Sequence, residues 1–145
     1  MIQSGPQLVT SCWSMKLPKD YAPIGISRGT PRGRSAYRRY TALQPGPWFA
    51  SVGAEEFTKL YSEEILGVLH PEQVVDELLQ MSGSRQPALL CWEKLDDSRW
   101  CHRALVSIWL WETLGLRVPE LGHSAEGFGW THPKCHQQCR PSSVL

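Results

Sequence analysis

Residues able to carry out chemistry stand in two short runs in the second half of the chain. Cys91 and Glu93 form one run, and Cys101, His102 and Arg103 form the other. A thiol beside a histidine and an arginine suits nucleophilic or redox chemistry, because nearby positive charge favours the thiolate. His102 could act as a general acid or base, and Glu93 could orient it or accept a proton. These five residues form the predicted catalytic site; the alternative is that both thiols are small buried hydrophobic groups and that Arg103 pairs with Glu93.

The elements predicted around the two runs give them a reason to converge. Residues 88–92 are a continuous apolar run of strand length, typical of a buried parallel strand. A helix is predicted from about residue 99 to residue 114, with Asp97 or Ser98 as its N-cap and Gly115 just past its end. In a parallel sheet, ligands bind beyond the carboxyl ends of the strands, where loops enter helices. The prediction therefore brings both runs to one edge of the sheet.

Other segments complete an alternating pattern of strands and helices. Short β-prone runs predict strands, and apolar residues at helical spacing predict helices. The predicted strands are residues 8–13, 24–27 and 117–121, and the predicted helices are residues 54–69 and a second helix from Pro71 to about residue 82. The last strand would close a βαβ unit with the strand before it.

The two reactive runs also resemble the signature of a known family. Cys-x-Glu at residues 91–93, followed by Cys-His-Arg at residues 101–103, resembles the pattern of the family called domain of unknown function 488. Further stretches that fit this pattern, within a resemblance covering about residues 8–121, are residues 27–31, 40–45, 61–69 and 118–120. The resemblance implies a compact Rossmann-like α/β fold with a polar site at the strand edge, and it implies no settled activity.

Length and composition agree with one small α/β protein. A chain of 145 residues with 41% hydrophobic content suits one domain. We predict a single compact Rossmann-like α/β domain over residues 1–121, with a mostly parallel sheet flanked by helices, and an irregular or disordered tail over residues 122–145. The sequence has no apolar run of membrane-spanning length and no signal-peptide pattern, so we expect no membrane partner. Five cysteines in such a chain suggest reduced thiols and a cytoplasmic protein.

Charge is strongly segregated along the chain despite a net charge of +1. The first 50 residues are basic and residues 51–97 are acidic, which suggests either a face for a charged ligand or mutual ion pairing. The basic part contains a loop rich in arginine, glycine and proline, typical of phosphate contacts and base stacking. The predicted phosphate- or nucleic-acid-binding residues of this loop are Arg28, Arg32, Arg34, Tyr37, Arg38 and Arg39. The alternative is a solvated loop that serves solubility or pairs with the acidic helices.

A cluster of potential metal ligands lies in the tail. The spacing of His132, Cys135, His136 and Cys139 is typical of half of a zinc site, although most isolated tail clusters bind nothing. We predict no cofactor, with zinc at these four residues as the alternative. If the tail does not take part in the fold, removing residues 123–145 leaves metal content and melting temperature unchanged.

Three functions remain open from the sequence, and the third, a structural metal protein, rests only on the tail cluster. The first is an enzyme acting on a nucleotide or nucleic acid, with Cys101 as nucleophile or redox thiol and the arginines as a phosphate clamp. The second is a non-catalytic module that binds nucleic acid or a phosphorylated ligand. The number of reactive groups at one predicted sheet edge favours the enzyme, and the reaction class is not determined by these residues.

Overall fold

Four parallel strands form the sheet around which the chain is organised. The computed structural model describes residues 8–29, 33, 38–92, 100–122 and 127–135. The strands are β1 (Val9–Cys12), β2 (Tyr21–Gly25), β3 (Arg38–Arg39) and β4 (Gln86–Cys91). Their order across the sheet is β1-β4-β2-β3, and every neighbouring pair is parallel. The two most completely buried strands, β1 and β4, therefore lie side by side.

The described residues also form three α-helices, two of them before β4 and one after it. They are α1 (Ala54–Leu60), α2 (Pro71–Ser82) and α3 (His102–Leu114). The chain leaves α1 through a π-helical turn, Tyr61–Ile65, and a 3-10 turn, Leu66–Val68. Pro71 is the first residue of α2. An N–H at this position has no partner within a helix, so the N–H that proline lacks costs no hydrogen bond. Gly115 ends α3 with a φ of 66°, a left-handed conformation that glycine adopts without steric cost.

The two faces of the sheet are covered differently. Alternate residues of β4 point to opposite faces, so Leu89 and Cys91 belong to the larger core cluster, whereas Ala88 and Leu90 belong to the smaller one. The larger cluster contains the apolar residues of all three helices. On the opposite face, Trp13 and the crossover to β2 cover the strands, and no described helix contributes to that cluster. One face is thus built by helices and the other by a loop.

The segment after α3 returns to the sheet beside β1. Thr10 N–H donates to the Pro119 carbonyl at 2.9 Å, and Leu121 N–H donates to the Thr10 carbonyl at 2.8 Å. This creates a single parallel bridge between Thr10 and Glu120. Pro119 has no N–H to extend the ladder, so the predicted strand at residues 117–121 is reduced to this bridge.

The predicted α/β class with a parallel sheet and flanking helices is confirmed. The differences are local. β2 begins at Tyr21, earlier than the predicted residue 24, because it includes Pro23, and a proline within a run argues against a strand in a prediction from sequence. The predicted helix at residues 54–69 is broken after Leu60, and β3 was not predicted. The helix expected from residue 99 begins instead at His102, with Cys101 as its N-cap. Within the described residues, no helix is long and apolar enough to cross a membrane.

Candidate functional site

Two cysteines and a histidine meet where β4 ends and α3 begins. Cys91 is the last residue of β4, Cys101 is the N-cap of α3, and His102 is its first residue. The ligand atoms of the three side chains all lie within 4.8 Å of one another. All three residues are buried, and Cys101 is only 2% exposed. The structure therefore brings together three of the five residues of the predicted catalytic site.

Both ring nitrogens of His102 lie near Cys91 Sγ, Nε2 at 3.5 Å and Nδ1 at 3.8 Å, and the hydrogen bond to Ile26 indicates which one carries the proton. The His102 Nε2 lies 2.9 Å from the Ile26 carbonyl oxygen, and a carbonyl only accepts, so Nε2 carries a proton and donates it. In the tautomer with its proton on Nε2, the lone pair lies on Nδ1. This atom lies 3.8 Å from Cys91 Sγ and 3.9 Å from Cys101 Sγ. Metal-binding histidines typically show this arrangement, in which the second ring nitrogen donates to a backbone carbonyl.

The surroundings of the sulfurs favour negative charge on Cys101. Burial alone raises the pKa of the Cys101 thiol, but a hydrogen bond with Cys91, the charge of Arg103 and contact with His102 outweigh it. The result is a pKa well below the ordinary thiol value. The neighbouring Tyr61 behaves oppositely, because burial and the two cysteines raise the pKa of its phenol. Tyr61 stays neutral and donates to the Leu43 carbonyl at 2.6 Å.

A cavity of about 320 Å³ opens beside the cysteines. Its inner wall includes Cys91, Cys101 and His102. Its other polar and aromatic lining residues are Ser27, Arg28, Phe49, Phe57, Trp92 and Trp100. Two of these aromatic side chains are unusually exposed for their size, Phe49 at 45% and Trp92 at 49%. The cavity therefore joins a polar, sulfur-containing interior to an aromatic rim.

Arg28 is held at the rim by several contacts. Its Nη1 donates to the Pro45 carbonyl at 2.9 Å, and its guanidinium carbon lies 5.5 Å from the centre of the Phe49 ring. The Trp92 indole N–H points to the Arg28 carbonyl at 3.4 Å. One arginine from the predicted phosphate-binding loop thus lines the same cavity as the thiols.

Arg103 lies behind the cysteines in a buried ion pair with Glu120. Its Nε donates to both carboxylate oxygens at 2.9 and 3.1 Å, and Nη2 donates to Oε2 at 2.6 Å. Both side chains are completely buried. Arg103 lines no part of the cavity beside the thiols, so it is not placed to clamp a substrate phosphate. Its partner is Glu120; Glu93, the partner considered from sequence, lies outside the described residues.

Thr10 and His132 complete the buried network around Glu120. Lys134 N–H donates to His132 Nδ1 at 3.0 Å, so the proton of the neutral ring is on Nε2. That Nε2 lies 2.7 Å from Thr10 Oγ1 and 3.3 Å from Glu120 Oε1. Thr10 in turn donates its hydroxyl proton to Glu120 Oε1 at 2.6 Å. Burial lowers the pKa of His132, although Glu120 opposes this effect, and the ring is neutral at pH 7.

The described residues of the predicted tail site, His132 and Cys135, are not arranged as the ligands of a zinc ion would be. Both ring nitrogens of His132 are engaged in the network, so neither offers a lone pair to a metal. Cys135 is buried in the larger core cluster. His136 and Cys139 lie outside the described residues. The described group that could hold a metal ion is instead Cys91, Cys101 and His102.

Some of the remaining predicted arginines lie at the surface, and the others lie outside the described residues. Arg38 and Arg39 form β3 and are exposed, and Arg39 Nη2 donates to the Gln44 side chain at 2.7 Å. Arg32, Arg34 and Tyr37 lie outside the described residues. Of the described basic residues predicted to bind phosphate, Arg28 lines the sulfur-containing cavity, whereas Arg38 and Arg39 do not.

Sequence reasoning missed Thr10, Glu120 and the aromatic rim. Thr10 lies in an ordinary β-prone run, and nothing in its neighbours distinguishes it. Glu120 could have been found from the sequence, because it follows Val118 by two residues in a predicted strand and so shares its face. An acid on a buried strand face needs a buried partner. Phe49 and Trp92 are large apolar residues next to turns, which sequence alone cannot separate from core residues.

Comparisons with known proteins give no match. No family model, no curated protein and no solved structure matches the chain. The resemblance to domain of unknown function 488 therefore stays a prediction, and the function is argued from the geometry of the site.

Proposed function

We propose that this protein is an enzyme that acts on a nucleotide, free or within a nucleic acid, through a zinc ion bound by Cys91, Cys101 and His102. The observation that carries the proposal is the shared cavity. The three candidate ligands form its inner wall, and an arginine and two exposed aromatic rings form its rim. A reactive centre and a recognition surface are thus adjacent.

The positions of the three ligand atoms support zinc. A tetrahedral zinc ion with Zn–S of about 2.3 Å and Zn–N of about 2.0–2.1 Å holds sulfur and nitrogen about 3.6 Å apart. The distances from His102 Nδ1 to the two sulfurs, 3.8 and 3.9 Å, are close to this separation. Cys91 Sγ is also 3.5 Å from Nε2, so coordination requires the ring to turn Nδ1 toward Cys91.

Charge also supports a dication at this position. Two thiolates buried beside apolar core residues would be costly without compensation, and a divalent ion neutralises both. Three protein ligands leave a fourth position, which is the composition of a catalytic rather than a structural zinc site. When bound, the ion would polarise a substrate oxygen or lower the pKa of a coordinated water.

The rim supports a nucleotide as the substrate. Exposed aromatic rings such as Phe49 and Trp92 stack on bases of any sequence. Arg28 has guanidinium N–H groups beyond the one given to Pro45, and these can donate to a phosphate. The cavity volume lies near the lower end of the range of about 300–1,000 Å³ typical of small-molecule sites, so it suits a single nucleotide.

The second candidate is a non-catalytic nucleotide-binding module. The near-complete burial of Cys91 and Cys101 favours it, because structural thiols are buried whereas reactive ones need access. In that case the cysteines form a structural metal site or a simple apolar contact, and only the rim binds ligand.

Metal analysis and cobalt spectroscopy test the proposal together. Protein produced with added zinc should contain about one zinc per chain, and Cys91→Ser, Cys101→Ser and His102→Ala should each lose most of it. Cys12→Ser is the matched control, because Cys12 is another buried thiol outside the three-residue group. The cobalt form should show sulfur-to-cobalt absorption that changes when a nucleoside monophosphate is added.

Each outcome distinguishes the candidates. A cobalt spectrum that responds to nucleotide supports an open metal position facing the cavity. A spectrum that does not respond, with nucleotide binding retained and lost in Arg28→Gln, assigns the protein to the binding module. Equal zinc content in the wild type and the Cys91→Ser and Cys101→Ser variants would show the metal proposal to be wrong.

A further inference from the structure

A second, larger concavity lies beside β2 and takes lining residues from both faces of the sheet. It has a volume of about 750 Å³, and we call it the basic groove. Its floor includes Ala22 of β2 and Leu90 of β4. Its walls come from the crossover between β1 and β2, from β3, and from the end of α2 with the turn that follows it before β4. Three separate segments of the chain therefore converge on it.

Positive charge dominates the walls of the basic groove. Lys16, Lys19, Arg38 and Arg85 line it, all four are exposed, and no acidic residue is among its lining residues. None of the four forms an ion pair with another residue in the described part of the chain. Four like charges from separate segments repel one another, and a bound polyanion would relieve that repulsion.

Backbone contacts hold the two arginines at the walls. Arg38 Nη1 lies 3.4 Å from the Met81 carbonyl, and Arg85 Nη1 lies 3.3 Å from the Tyr21 carbonyl. A guanidinium has five N–H donors, so each arginine keeps several for a ligand. Tyr21 and Met15 also line the basic groove and add apolar surface between the charges. Cations that alternate with an aromatic ring are typical of surfaces that bind single-stranded nucleic acid.

The basic groove is connected to the sulfur-containing cavity by β3. Arg38 lines the basic groove, and the next residue, Arg39, points its Nη2 to the Ser27 carbonyl at 3.4 Å. Ser27 and Arg28 line the cavity beside the thiols. β3 thus lies between the two concavities, with Arg38 at the basic groove and Arg39 in contact with the segment that lines the cavity.

We propose that the basic groove binds the sugar–phosphate backbone of a single-stranded nucleic acid, one nucleotide of which enters the sulfur-containing cavity. The second half of this inference rests on the proposed function, whereas binding in the groove does not. A membrane fits less well, because the exposed large hydrophobic residues, Phe49, Val68, Trp92, Trp111 and Leu114, all lie outside the groove. A concave channel also suits a flexible strand better than the convex surface of a duplex.

Salt-dependent binding of an oligonucleotide tests the inference. Fluorescence anisotropy of a labelled single-stranded DNA or RNA 20-mer is measured with the full chain over a series of KCl concentrations. Each phosphate contact contributes about 0.7 to the slope of log affinity against log salt for a single strand. The double variants Lys16→Gln/Lys19→Gln and Arg38→Gln/Arg85→Gln should therefore each lower the slope by about 1.4.

The matched control is Lys59→Gln/Arg117→Gln, which removes two exposed cations outside the basic groove. It should leave the slope unchanged, and all three double variants should keep the wild-type zinc content and melting temperature. An equal loss of slope in the control, tighter binding to a duplex of the same length, or binding to anionic vesicles without oligonucleotide binding would overturn the proposal. Because zinc content and the cobalt spectrum are read separately, loss of groove binding does not imply failure of the proposed metal centre.

Discussion

At the scale of single residues, Arg103 is a structural cation rather than an exposed ligand-binding one. Its guanidinium is fully buried and makes three close contacts with the Glu120 carboxylate. Its Nη1 has no hydrogen-bond partner among the described residues. An ion pair this deeply buried adds little net stability, but removing one partner leaves an uncompensated charge. Arg103 therefore stabilises negative charge on Cys101 from behind and ties α3 to the segment that carries Glu120.

The first prediction concerns the removal of that pair. Glu120→Gln should lower the free energy of unfolding by about 3–5 kcal/mol, because it leaves Arg103 buried without a counter-charge. Urea denaturation followed by circular dichroism measures the change. Glu112→Gln is the control: Glu112 is exposed and accepts from the Trp130 indole, which a glutamine can still do. It should change the free energy by less than about 0.5 kcal/mol, and equal effects of the two variants would contradict the buried-pair interpretation.

At the scale of elements, α3 depends on residues that follow it in the chain. Cys101 N–H, at the start of α3, donates to the Lys134 carbonyl at 3.0 Å. Ser107 in the middle of α3 donates to the Val118 carbonyl at 2.7 Å and accepts from Gly129 N–H at 2.8 Å. The segment 127–135, predicted as part of an irregular tail, therefore carries structural hydrogen bonds and one 3-10 turn, Gly129–Thr131.

The second prediction follows from this dependence and reverses the expectation from sequence that tail removal has no effect. A chain ending after Gly122 loses His132 and the backbone partners of Cys101 and Ser107. The loss of about three buried hydrogen bonds should lower the melting temperature by about 10 °C. A chain ending after Cys135 keeps all of these contacts and is the matched control. Identical melting temperatures for the two truncated chains and the full chain would show that the segment does not stabilise α3.

The π-helical turn is the second element that shapes the site. It follows α1 directly and begins with Tyr61, whose ring lies 5.4 Å from the His102 ring in an edge-on arrangement. π-helical turns occur often at functional sites, where they redirect a side chain that a regular helix would point elsewhere. Here the Tyr61 ring packs edge-on against one side of the His102 imidazole.

At the scale of the whole molecule, the two faces of the sheet carry different properties. The helix-covered face holds the larger apolar core, and the Arg103–Glu120–Thr10–His132 network lies beside it at the end of the βαβ unit. The opposite face has a small core. The basic groove takes residues from both faces, since Ile24 in its lining belongs to the larger core cluster and Leu90 to the smaller one, and the sulfur-containing cavity lies where β4 ends and α3 begins.

The third prediction concerns the pH dependence of global stability. Burial alone would raise the pKa of Glu120, but hydrogen bonds from His132 and Arg103 lower it from 4.5 to about 2. Burial lowers the pKa of His132 below 6.5. In both cases the unfolded chain binds protons that the folded chain excludes, so stability falls as the pH falls. The fall should begin below about pH 6.5 through His132 and continue from about pH 4.5 toward pH 2 through Glu120, the latter amounting to about 3 kcal/mol.

Urea denaturation from pH 7 to pH 3 measures this dependence, with a chelator in every sample so that metal release does not contribute. His132→Gln should flatten the curve between about pH 6.5 and pH 5, and Glu120→Gln should flatten it below about pH 4.5. A wild-type free energy of unfolding that rises on acidification would contradict both assignments.

Local patterns were sufficient for much of the fold. The apolar run at residues 88–92, Pro71 at a helix start and Gly115 past a helix end each predict structure through neighbours in the chain. The same patterns place Cys91 and Cys101 at one edge of the sheet, because parallel strands and the helices after them meet there. β3 and the break after Leu60 were not predictable, since two residues carry no strand period and a π-turn has no local signature.

The sequence by itself thus determined that two thiols and a histidine meet at the end of a buried parallel strand. Only the tertiary structure decided their partners, because those contacts join residues far apart in the chain. His102 donates to Ile26, Arg103 pairs with Glu120, and Thr10 meets His132 across 122 positions. Hydrogen bonds of this range depend on how strands and helices pack, which neither spacing nor residue type encodes.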